Sequence, residues 1–392
     1  MSDHPTVRLK PREGRRVRAG APWVFSNEVA MDVATKALPP GSLVNVKGDD
    51  GREFGTGYFT PSSLIAARLL DAGSNVTIDA AYLSKRIVRA LALREALFDR
   101  PFYRVVNAEG DGLPGLIIDR YGDLCVVQIA TAGMERLIEP LAGAIELALA
   151  PETILLRNDV AARALEGLAS EVRPLKGAVR RVAVEENGVR YFADPAAGQK
   201  TGWYFDQRDN RAFAAQLAKG KSVLDAYSYT GGFALAAAKA GAREAIGLDS
   251  SAPALALAEE SAAANRLAAK FVGCDVFEEL ERLAGAGESF DLVIADPPPF
   301  VRSRKDLEPG AKAYRKLARL AARVTAPSGF LVLASCSHNI SQDRFGVECA
   351  TGIARAERRS SLIRSAGASS DHPVHPFLPE SAYLKTLVYA LD

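Results

Sequence analysis

The sequence predicts an α/β protein: a β-rich unit (1–72), a mixed α+β region (73–190) and a doubly wound, mainly parallel sheet (191–392). Three observations predict it. After Asp209, strand-like apolar runs alternate strictly with helix-like ones, the rhythm of a parallel sheet covered by helices. Three of these strands end in an aspartate, Asp225, Asp249 and Asp275, and a fourth ends at Asp296. Before residue 73, turn residues at Gly20, Pro39-Pro40-Gly41, Gly48-Asp49-Asp50-Gly51 and Pro61 punctuate short runs instead.

In the first unit, SLVNVKG and EFGTGYFT flank the DDG turn as a hairpin, and LIAARLL follows as a further strand. From Val76 to about Asp99, the apolar positions Leu83, Ile87, Leu91, Ala92 and Leu93 predict an amphipathic helix. RVVNAEGDGLPGLIIDRYGDLCVVQI then reads as strands joined by Gly-Asp turns, with Gly110–Gly115 shaping one of them. MERLIEPLAGAIELAL reads as one helix and TILLRND as a strand. Val182 to Phe192 forms a hairpin around Glu186-Asn187-Gly188. In the last region SVLDAY, EAIGLD, KFVGCD, DLVIAD and FLVLASCS are strands; FALAAAKA, APALALAEESAAANRL, VFEELERLAG and AYRKLARLAARV are helices.

A chain of 392 residues is too long for one core and predicts two or three domains. It is 48% hydrophobic and 24% charged, which excludes bulk disorder. Cys125, Cys274, Cys336 and Cys349 lie far apart with no CxxC pair, against a disulfide scaffold or a zinc site. His372-Pro-Val-His375 has a metal-like spacing, but its prolines forbid a helix and no thiol is nearby, so no metal is expected. MSDHPTVRLKPREGRR has no apolar signal core, and no run approaches the roughly 18 apolar residues of a membrane span. The expectation is a cytoplasmic protein with no membrane partner.

In a doubly wound sheet the ligand sits beyond the carboxyl ends of the strands. Asp225 is followed by AYSYTGGF, which has one glycine pair and no GxGxxG, against a dinucleotide and its pyrophosphate. S-adenosylmethionine has no phosphate and needs only close backbone approach, here at Gly231-Gly232. Asp249 is placed to accept from the ribose hydroxyls and Asp275 lies near the adenine amino group. Aspartates often just start turns after strands; four in this order, with the glycine turn after the first, favour methyl transfer.

DPPPF at 296–300 holds a carboxylate and an aromatic ring on a rigid turn, suited to gripping a planar base, with Phe300 able to stack. The plain alternative is a proline-rich loop exit. Cys336, in ASCSHN at the end of the next strand, discriminates further. A cysteine in a strand is usually a small buried hydrophobe. At the catalytic end, beside Ser335, Ser337 and His338, it is a candidate nucleophile. C5 of a pyrimidine becomes nucleophilic only after a thiolate adds to C6, whereas methylation of an amino group needs no cysteine. His338 either tunes that thiol or is plain surface.

The stretches LKPREGRRVRAGAPWVFSNEV, NAEGDGLPGLIIDRYGD, AGQKTGWYFDQRDNR, VLDAYSYTGGF, DPPPF, SCSHN and DHPVHPFLPESAYLK cover nearly the whole chain. In combination they resemble the PUA-domain 23S rRNA cytosine-C5 methyltransferases of the RlmI type. The resemblance implies an N-terminal PUA domain, a central α+β domain and a class I Rossmann-like methyltransferase domain using S-adenosylmethionine. It implies that Cys336 is the nucleophile and that Asp296 holds and protonates the cytosine. It also implies that Phe205, Gln207 and Arg208 lie near the methionine moiety, in a pocket shared with Asp225, Tyr227, Gly231, Asp249, Asp275 and Asp296. Better-known RNA cytosine methyltransferases carry a second cysteine beside these prolines; here Asp296-Pro297-Pro298-Pro299 has none. Removal of the C5 proton therefore falls to Asp296, a water or the RNA.

The formal charge is only +2, from 49 Lys+Arg against 47 Asp+Glu, but the cations cluster. Arg8 to Arg18 holds six Lys/Arg and one acid, with Trp23 and Phe25 just beyond. Arg302 to Arg323 holds eight and two, starting directly after DPPPF. A basic helix face is usually solvated surface. One that begins at the catalytic loop is placed to hold a phosphate backbone, with Pro297, Phe300, Arg302 and Lys305 nearest the base. The expected partner is 23S rRNA presenting an unpaired or flipped cytosine. A homodimer stays open. Two other readings also stand: a methyltransferase of the same fold acting on guanine N7 or an amino group with Cys336 idle, and a non-catalytic ribosome-assembly factor.

Overall fold

Short turn-punctuated runs before residue 73 and long alternating runs after 209 give different kinds of sheet. The computed structural model describes residues 3–392. The chain forms two units: one comprises the chain up to Arg180, Pro195–Trp203 and Asp371–Ser381, the other Arg181–Asp194, Tyr204–Ser370 and Ala382–Asp392.

In the first unit, β1 (Thr6–Arg8), β2 (Trp23–Phe25), β3 (Ser42–Lys47), β4 (Glu53–Phe59) and β5 (Ile65–Asp71) form a five-stranded sheet in the order β1-β3-β4-β5-β2. Two single-turn helices interrupt it, α1 (Arg15–Arg18) and α2 (Val33–Lys36). The β3–β4 hairpin closes where Gly48 N donates to Arg52 O at 2.8 Å and Gly51 takes a φ of 81°. Val7, Val24, Val44, Val46 and Phe59 fill its core.

Helix α3 (Ala80–Leu97) starts where the Asp79 side chain accepts from Tyr82 N. Its buried stripe is Leu83, Ile87, Ala90 and Arg94; the expected apolar face was misplaced at its end, since Ala92 and Leu93 are exposed, Leu93 to 44%. The cause is Arg94, whose guanidinium is buried against both carboxylate oxygens of Asp111 at 2.6 and 2.8 Å and the Asp371 carbonyl at 2.8 Å. A second five-stranded sheet runs β10-β9-β8-β7-β6, from β6 (Phe102–Asn107), β7 (Leu116–Tyr121), β8 (Leu124–Ile129), β9 (Thr153–Asn158) and β10 (Glu171–Lys176). The single helix expected over MERLIEPLAGAIELAL is two, α4 (Ala132–Arg136) and α5 (Ile138–Leu149), parted at Leu137. Pro140 explains the break: it lacks an N–H and its ring excludes the carbonyl one turn earlier. The short α6 (Ala162–Leu165) follows β9. His372 Nδ1 lies 2.7 Å from Asp371 Oδ1, and Asp371 Oδ2 accepts from Arg104 N at 2.9 Å, so this His-Pro loop is packed on the same unit.

The second unit begins with the hairpin β11 (Val182–Glu186) and β12 (Val189–Ala193). Asn187 and Gly188 take φ of 50° and 76°, the pair of left-handed residues that a two-residue hairpin needs. Its partner is α9 (Ala252–Asn265), through Phe192 N to Ser261 Oγ at 2.8 Å and Arg190 N to Asn265 Oδ1 at 2.9 Å. The main sheet contains β13 (Ser222–Ala226), β14 (Glu244–Asp249), β15 (Lys270–Gly273), β16 (Phe290–Ala295), β17 (Thr325–Ser335), β18 (Ser360–Ala366) and β19 (Lys385–Leu391). Their order is β15-β14-β13-β16-β17-β19-β18, parallel except for β19, which is antiparallel to both neighbours. Helices α7 (Arg208–Gln216), α8 (Gly232–Lys239), α9, α10 (Val276–Gly285), α11 (Leu307–Arg323) and α12 (Gln342–Ala354) accompany it.

The core of this unit lies on both faces of the sheet, which is why β16 reads as an unbroken apolar run: Leu292 and Ile294 join one cluster, Val293 and Ala295 the other. Two boundaries differ from expectation. Helix α11 begins at Leu307, ahead of AYRKLARLAARV, because Pro309 falls in the first turn where its missing N–H costs nothing. Strand β15 ends at Gly273, and Asp275 instead caps α10 by accepting from Glu278 N at 3.0 Å. Strand order reverses at β13 and β16, so the crevice beyond their carboxyl ends is where a ligand is expected. No helix among the described residues is long and apolar enough to cross a membrane.

Candidate active site

Two sets of loops make the site, both in the second unit. The first is the turn after β13, and carboxylates hold it by its backbone N–H groups. Asp225, fully buried, accepts from Ala234 N in the first turn of α8 at 2.9 Å. Asp249, at the end of β14, accepts from Tyr229 N at 2.9 Å through one oxygen and from Ser251 N at 2.8 Å through the other. Each oxygen has a second lone pair, so both remain able to accept from a hydroxyl.

Tyr227, Tyr229 and Gly231 take positive φ of 66°, 50° and 79°. Two bulky residues in the left-handed region of one short turn cost of order 1–3 kcal/mol each, a strain that clusters at ligand sites. At Gly231 an added Cβ would meet the Phe271 ring at 2.9 Å. Asp225 Oδ1, Ser228 Oγ and Thr230 Oγ1 are buried with no hydrogen-bond partner among the described residues. Burial pushes the Asp225 carboxyl up to about 8, with Asp296 and Asp249 adding to the rise against the Ala234 bond.

The second set is the loops after β16 and β17. Asp296 N donates to Ala226 O at 3.3 Å, tying the DPPPF turn to the end of β13. Gln207 Nε2 donates to Asp296 Oδ2 at 2.8 Å, while Gln207 Oε1 accepts from Asn210 Nδ2 at 2.7 Å, which fixes which way the amide faces. Asn210 is itself anchored on Gly367 O and Thr386 Oγ1. Phe205 is buried with the Arg208 guanidinium 5.7 Å from its ring centre. Arg208 also pairs with Glu186 at 3.5 Å, a carboxylate that grips Arg211 with both oxygens at 2.6 and 2.7 Å. Tyr204 stands edge-on to Tyr229 at 5.4 Å, bridging the two sets of loops.

Cys336 follows the last residue of β17 and is half-buried. Its neighbours are stitched to the exit of the DPPPF turn: Ser337 Oγ donates to Val301 O, and Asn339 Nδ2 donates to Arg302 O at 2.9 Å. Ser335 Oγ donates to Tyr314 Oη at 2.7 Å, and burial pushes that phenol up to about 12. His338 stacks at 5.1 Å on Tyr383, whose hydroxyl donates to Asp206 at 2.6 Å.

The structure thus joins Asp296 to Gln207 by a hydrogen bond and the Cys336 loop to Val301 and Arg302. Tyr227 is half-buried and Pro297 buried. Phe300 packs between Phe277 at 5.9 Å and Tyr314 at 4.8 Å, so at least part of its ring belongs to the core. Arg302 and Lys305 are exposed. Sequence reasoning did not single out Asn210, Tyr204, Tyr314 or Lys385. Lys385, buried at the head of β19, donates from Nζ to Ser337 O at 2.6 Å. Its one signal was a charged residue opening a strand that is otherwise almost wholly apolar.

Comparison with known proteins matches these elements. A family described as PUA-like domain matches residues 7–72, and one described as S-adenosylmethionine-dependent methyltransferase matches 157–388. A ribosomal RNA large subunit methyltransferase I of Shewanella denitrificans is 38% identical over 390 residues, covering 97% of this chain and 98% of that protein. The protein of the same name from Cronobacter sakazakii is 36% identical over 391 residues, covering 97% and 98%. Among solved structures, a SAM-dependent methyltransferase-like protein of Streptococcus mutans superposes with a TM-score of 0.83 at 22% identity, covering 98% of this chain and all of that one. A methyltransferase-like protein solved with SAH gives 0.84 at 21%, with coverage of 98% and 100%. At that identity the two structures speak for the fold alone.

Proposed function

This chain belongs to the ribosomal RNA large subunit methyltransferase I family of S-adenosylmethionine-dependent methyltransferases, and from that premise we propose that it makes 5-methylcytidine in 23S rRNA through a covalent Cys336 adduct. The turn after β13 fits the cofactor: it carries left-handed strain, and Ser228 Oγ and Thr230 Oγ1 within it, with Asp225 Oδ1 at the end of β13, are buried with no partner among the described residues. In this reading Asp249 holds the ribose, Asp275 and Tyr227 border the adenine, Gly231 and Asp225 shape the turn, and Phe205, Gln207 and Arg208 border the methionine end.

When bound, S-adenosylmethionine supplies an electrophilic methyl group on a sulfonium. The chain's residues do the rest. Cys336 Sγ adds as thiolate to C6 of a cytosine, breaking the C5–C6 double bond, and Asp296 holds the base edge and delivers a proton to the ring. With C6 saturated, C5 carries the enamine character that methyl capture requires. Loss of the C5 proton then expels Cys336 Sγ and restores the double bond. With no cysteine beside Pro297, that proton goes to Asp296, to a water or to the RNA. Pro297 and Phe300 border the base, while Arg302 and Lys305 meet phosphate. Residues 1–72 dock the RNA, 73–190 link, and 191–392 catalyse.

The observation that carries this reading is the stitching of the Cys336 loop to the exit of the Asp296 turn by Ser337 and Asn339. Neither an idle cysteine nor a silent RNA-binding factor calls for it. The test is Cys336→Ala with large-subunit RNA and labelled S-adenosylmethionine. Methylation is expected to fall at least ~10³-fold, as when a nucleophile is removed, and covalent trapping of 5-fluorocytidine RNA to disappear. Retained turnover would sink the covalent route and favour guanine or amino-group methylation.

A further inference from the structure

A thiol at the catalytic end of a strand is a useful nucleophile only as its anion, and an ordinary cysteine with a pKa of about 8.5 is mostly protonated at neutral pH. Something beside Cys336 has to favour the charge. We propose that Lys385 is a positioning residue whose ammonium group holds Cys336 as a thiolate and holds its loop in place. The inference rests on the reading of Cys336 as the nucleophile.

The register of β17 against β19 places Lys385 directly opposite Ser335, the residue before Cys336. Its Nζ reaches Ser337 O, the carbonyl just after Cys336, at 2.6 Å. The side chain therefore spans the cysteine from one flank to the other. Lys385 is 6% exposed. Burying an ammonium against a neutral carbonyl alone is costly, because the charge loses water and gains only a dipole. Burial does lower the Lys385 pKa, and Cys336 is the group whose charge opposes that fall. The same pairing acts on the thiol: a cation at this place makes Sγ–H more acidic.

Two phenols and a carboxyl group near Cys336 do not supply that charge. Tyr204, ahead of α7, and Tyr314, on α11, are phenols that burial keeps protonated, and both sense Cys336 and Asp296 together. Asp296, at the exit of β16, is an acid and opposes a thiolate, although Gln207 donates to it. His338 stacks on Tyr383, a contact that leaves its ring nitrogens able to act on the thiol, so the Lys385 variants are read with His338 intact. The proposed step is a proton transfer: Sγ–H loses its proton to solvent, Lys385 stays protonated, and nothing is oxidised or reduced. The anion is consumed when the S–C6 bond forms and returns when that bond breaks.

The plain alternative is that Lys385 only ties β19 to the loop after β17. Lys385→Gln keeps a donor for Ser337 O and removes the charge, whereas Lys385→Arg keeps the charge. The measurement is the pH dependence of iodoacetamide alkylation at Cys336 in the full-length protein, read by peptide mass spectrometry so that Cys274 is not counted. The wild-type midpoint is expected at least one unit below ~8.5. In Lys385→Gln it rises by one unit or more, so alkylation at pH 7 slows about tenfold while the limiting rate at high pH is unchanged. Lys385→Arg retains the low midpoint, and the acid limb of methylation kcat/KM follows the same order. An unshifted midpoint in folded Lys385→Gln, or an equal rise in Lys385→Arg, overturns the assignment. If Lys385→Gln does not fold, the wild-type titration decides alone, because a midpoint at or above 8.5 is incompatible with it. Retained methylation by Cys336→Ala would instead remove the nucleophile reading, an outcome this titration does not mimic.

Discussion

The turn after β13 and the loops after β16 and β17 lie at the same end of one sheet and are held in opposite ways. In the first, carboxylates accept from backbone N–H groups: Asp225 from Ala234, Asp249 from Tyr229 and Ser251. In the second, side-chain donors bind backbone carbonyls: Ser337 to Val301, Asn339 to Arg302, Lys385 to Ser337. The difference suits the proposed tasks. A turn whose N–H groups are occupied by fixed carboxyl groups keeps left-handed tyrosines in place and presents spare acceptor lone pairs to hydroxyls. A loop whose carbonyls are occupied by donors holds Cys336 in place without adding negative charge.

The largest effect expected from breaking this contrast is a crossed one. Asp249→Ala removes a charge-assisted bond from Tyr229 N in the turn and another from Ser251 N after β14, each worth about 1.5–3 kcal/mol, and the proposed ribose contact. The Kd for S-adenosylmethionine, measured by calorimetry, is expected to rise about 100-fold, about 2.8 kcal/mol by the usual tenfold-per-1.4 conversion. Ser337→Ala combined with Asn339→Ala should leave that Kd within about twofold and lower single-turnover methylation ~10- to 100-fold, the cost of misplacing a reacting group by about 1 Å. Equal effects of both changes on cofactor binding would dissolve the division between the two regions.

A smaller effect separates the carboxylates of the first region from each other. Burial raises the Asp225 carboxyl to about 8, whereas an unfolded aspartate titrates near 3.9. The folded state therefore binds this proton more tightly than the unfolded one. The stability it contributes is complete below ~pH 4 and is lost as pH rises toward about 8. Asp225→Asn keeps an acceptor for Ala234 N and cannot lose a proton. Without cofactor, the melting temperature of the wild type relative to this variant should match near pH 4 and fall behind by several degrees at pH 8. A constant difference across that range would mean that Asp225 is not a buried, protonated acid.

These contrasts also explain what could be read from the sequence. Aspartates at strand ends, the fully apolar run of β16 and the Asn187-Gly188 hairpin are local signals, because a cap or a turn is decided by a few consecutive residues. In the second region the sequence singled out Asp296, Gln207 and Cys336 but not what supports them. Its support comes from Asn210, Tyr314 and Lys385, which meet their partners across long sequence separations: Asn210 meets Thr386, and Lys385 meets Ser337. Arg94 is the same lesson in the first unit. Its buried partners are Asp111 and the Asp371 carbonyl, so periodicity alone found Leu83 and Ile87 but misplaced the end of the helix face. The splitting of α4 from α5 was legible in principle, since Pro140 was there to be weighed.

The smallest expected effect tests whether the donor-rich character of the second region continues outward. Helix α11 starts just beyond the DPPPF turn, and Lys312, Arg315, Lys316 and Arg319 line a surface concavity with Arg355 from the end of α12. Arg315 pairs with Glu348 at 2.6 Å and Lys316 with Glu281 at 3.0 Å, which leaves less of their charge for a partner. Lys312 and Arg319 are the informative pair. If they meet RNA phosphates, Lys312→Gln with Arg319→Gln should weaken RNA binding a few-fold at moderate salt. The slope of log K against log salt should become shallower by about 1.4, since each single-strand phosphate contact contributes about 0.7. Cofactor binding should show neither change, because the contacts proposed for the turn after β13 are fixed hydrogen bonds and release no counterions. A weaker RNA complex with an unchanged slope would mean that α11 supports the loop mechanically, and the donor-rich region would then end at Lys305.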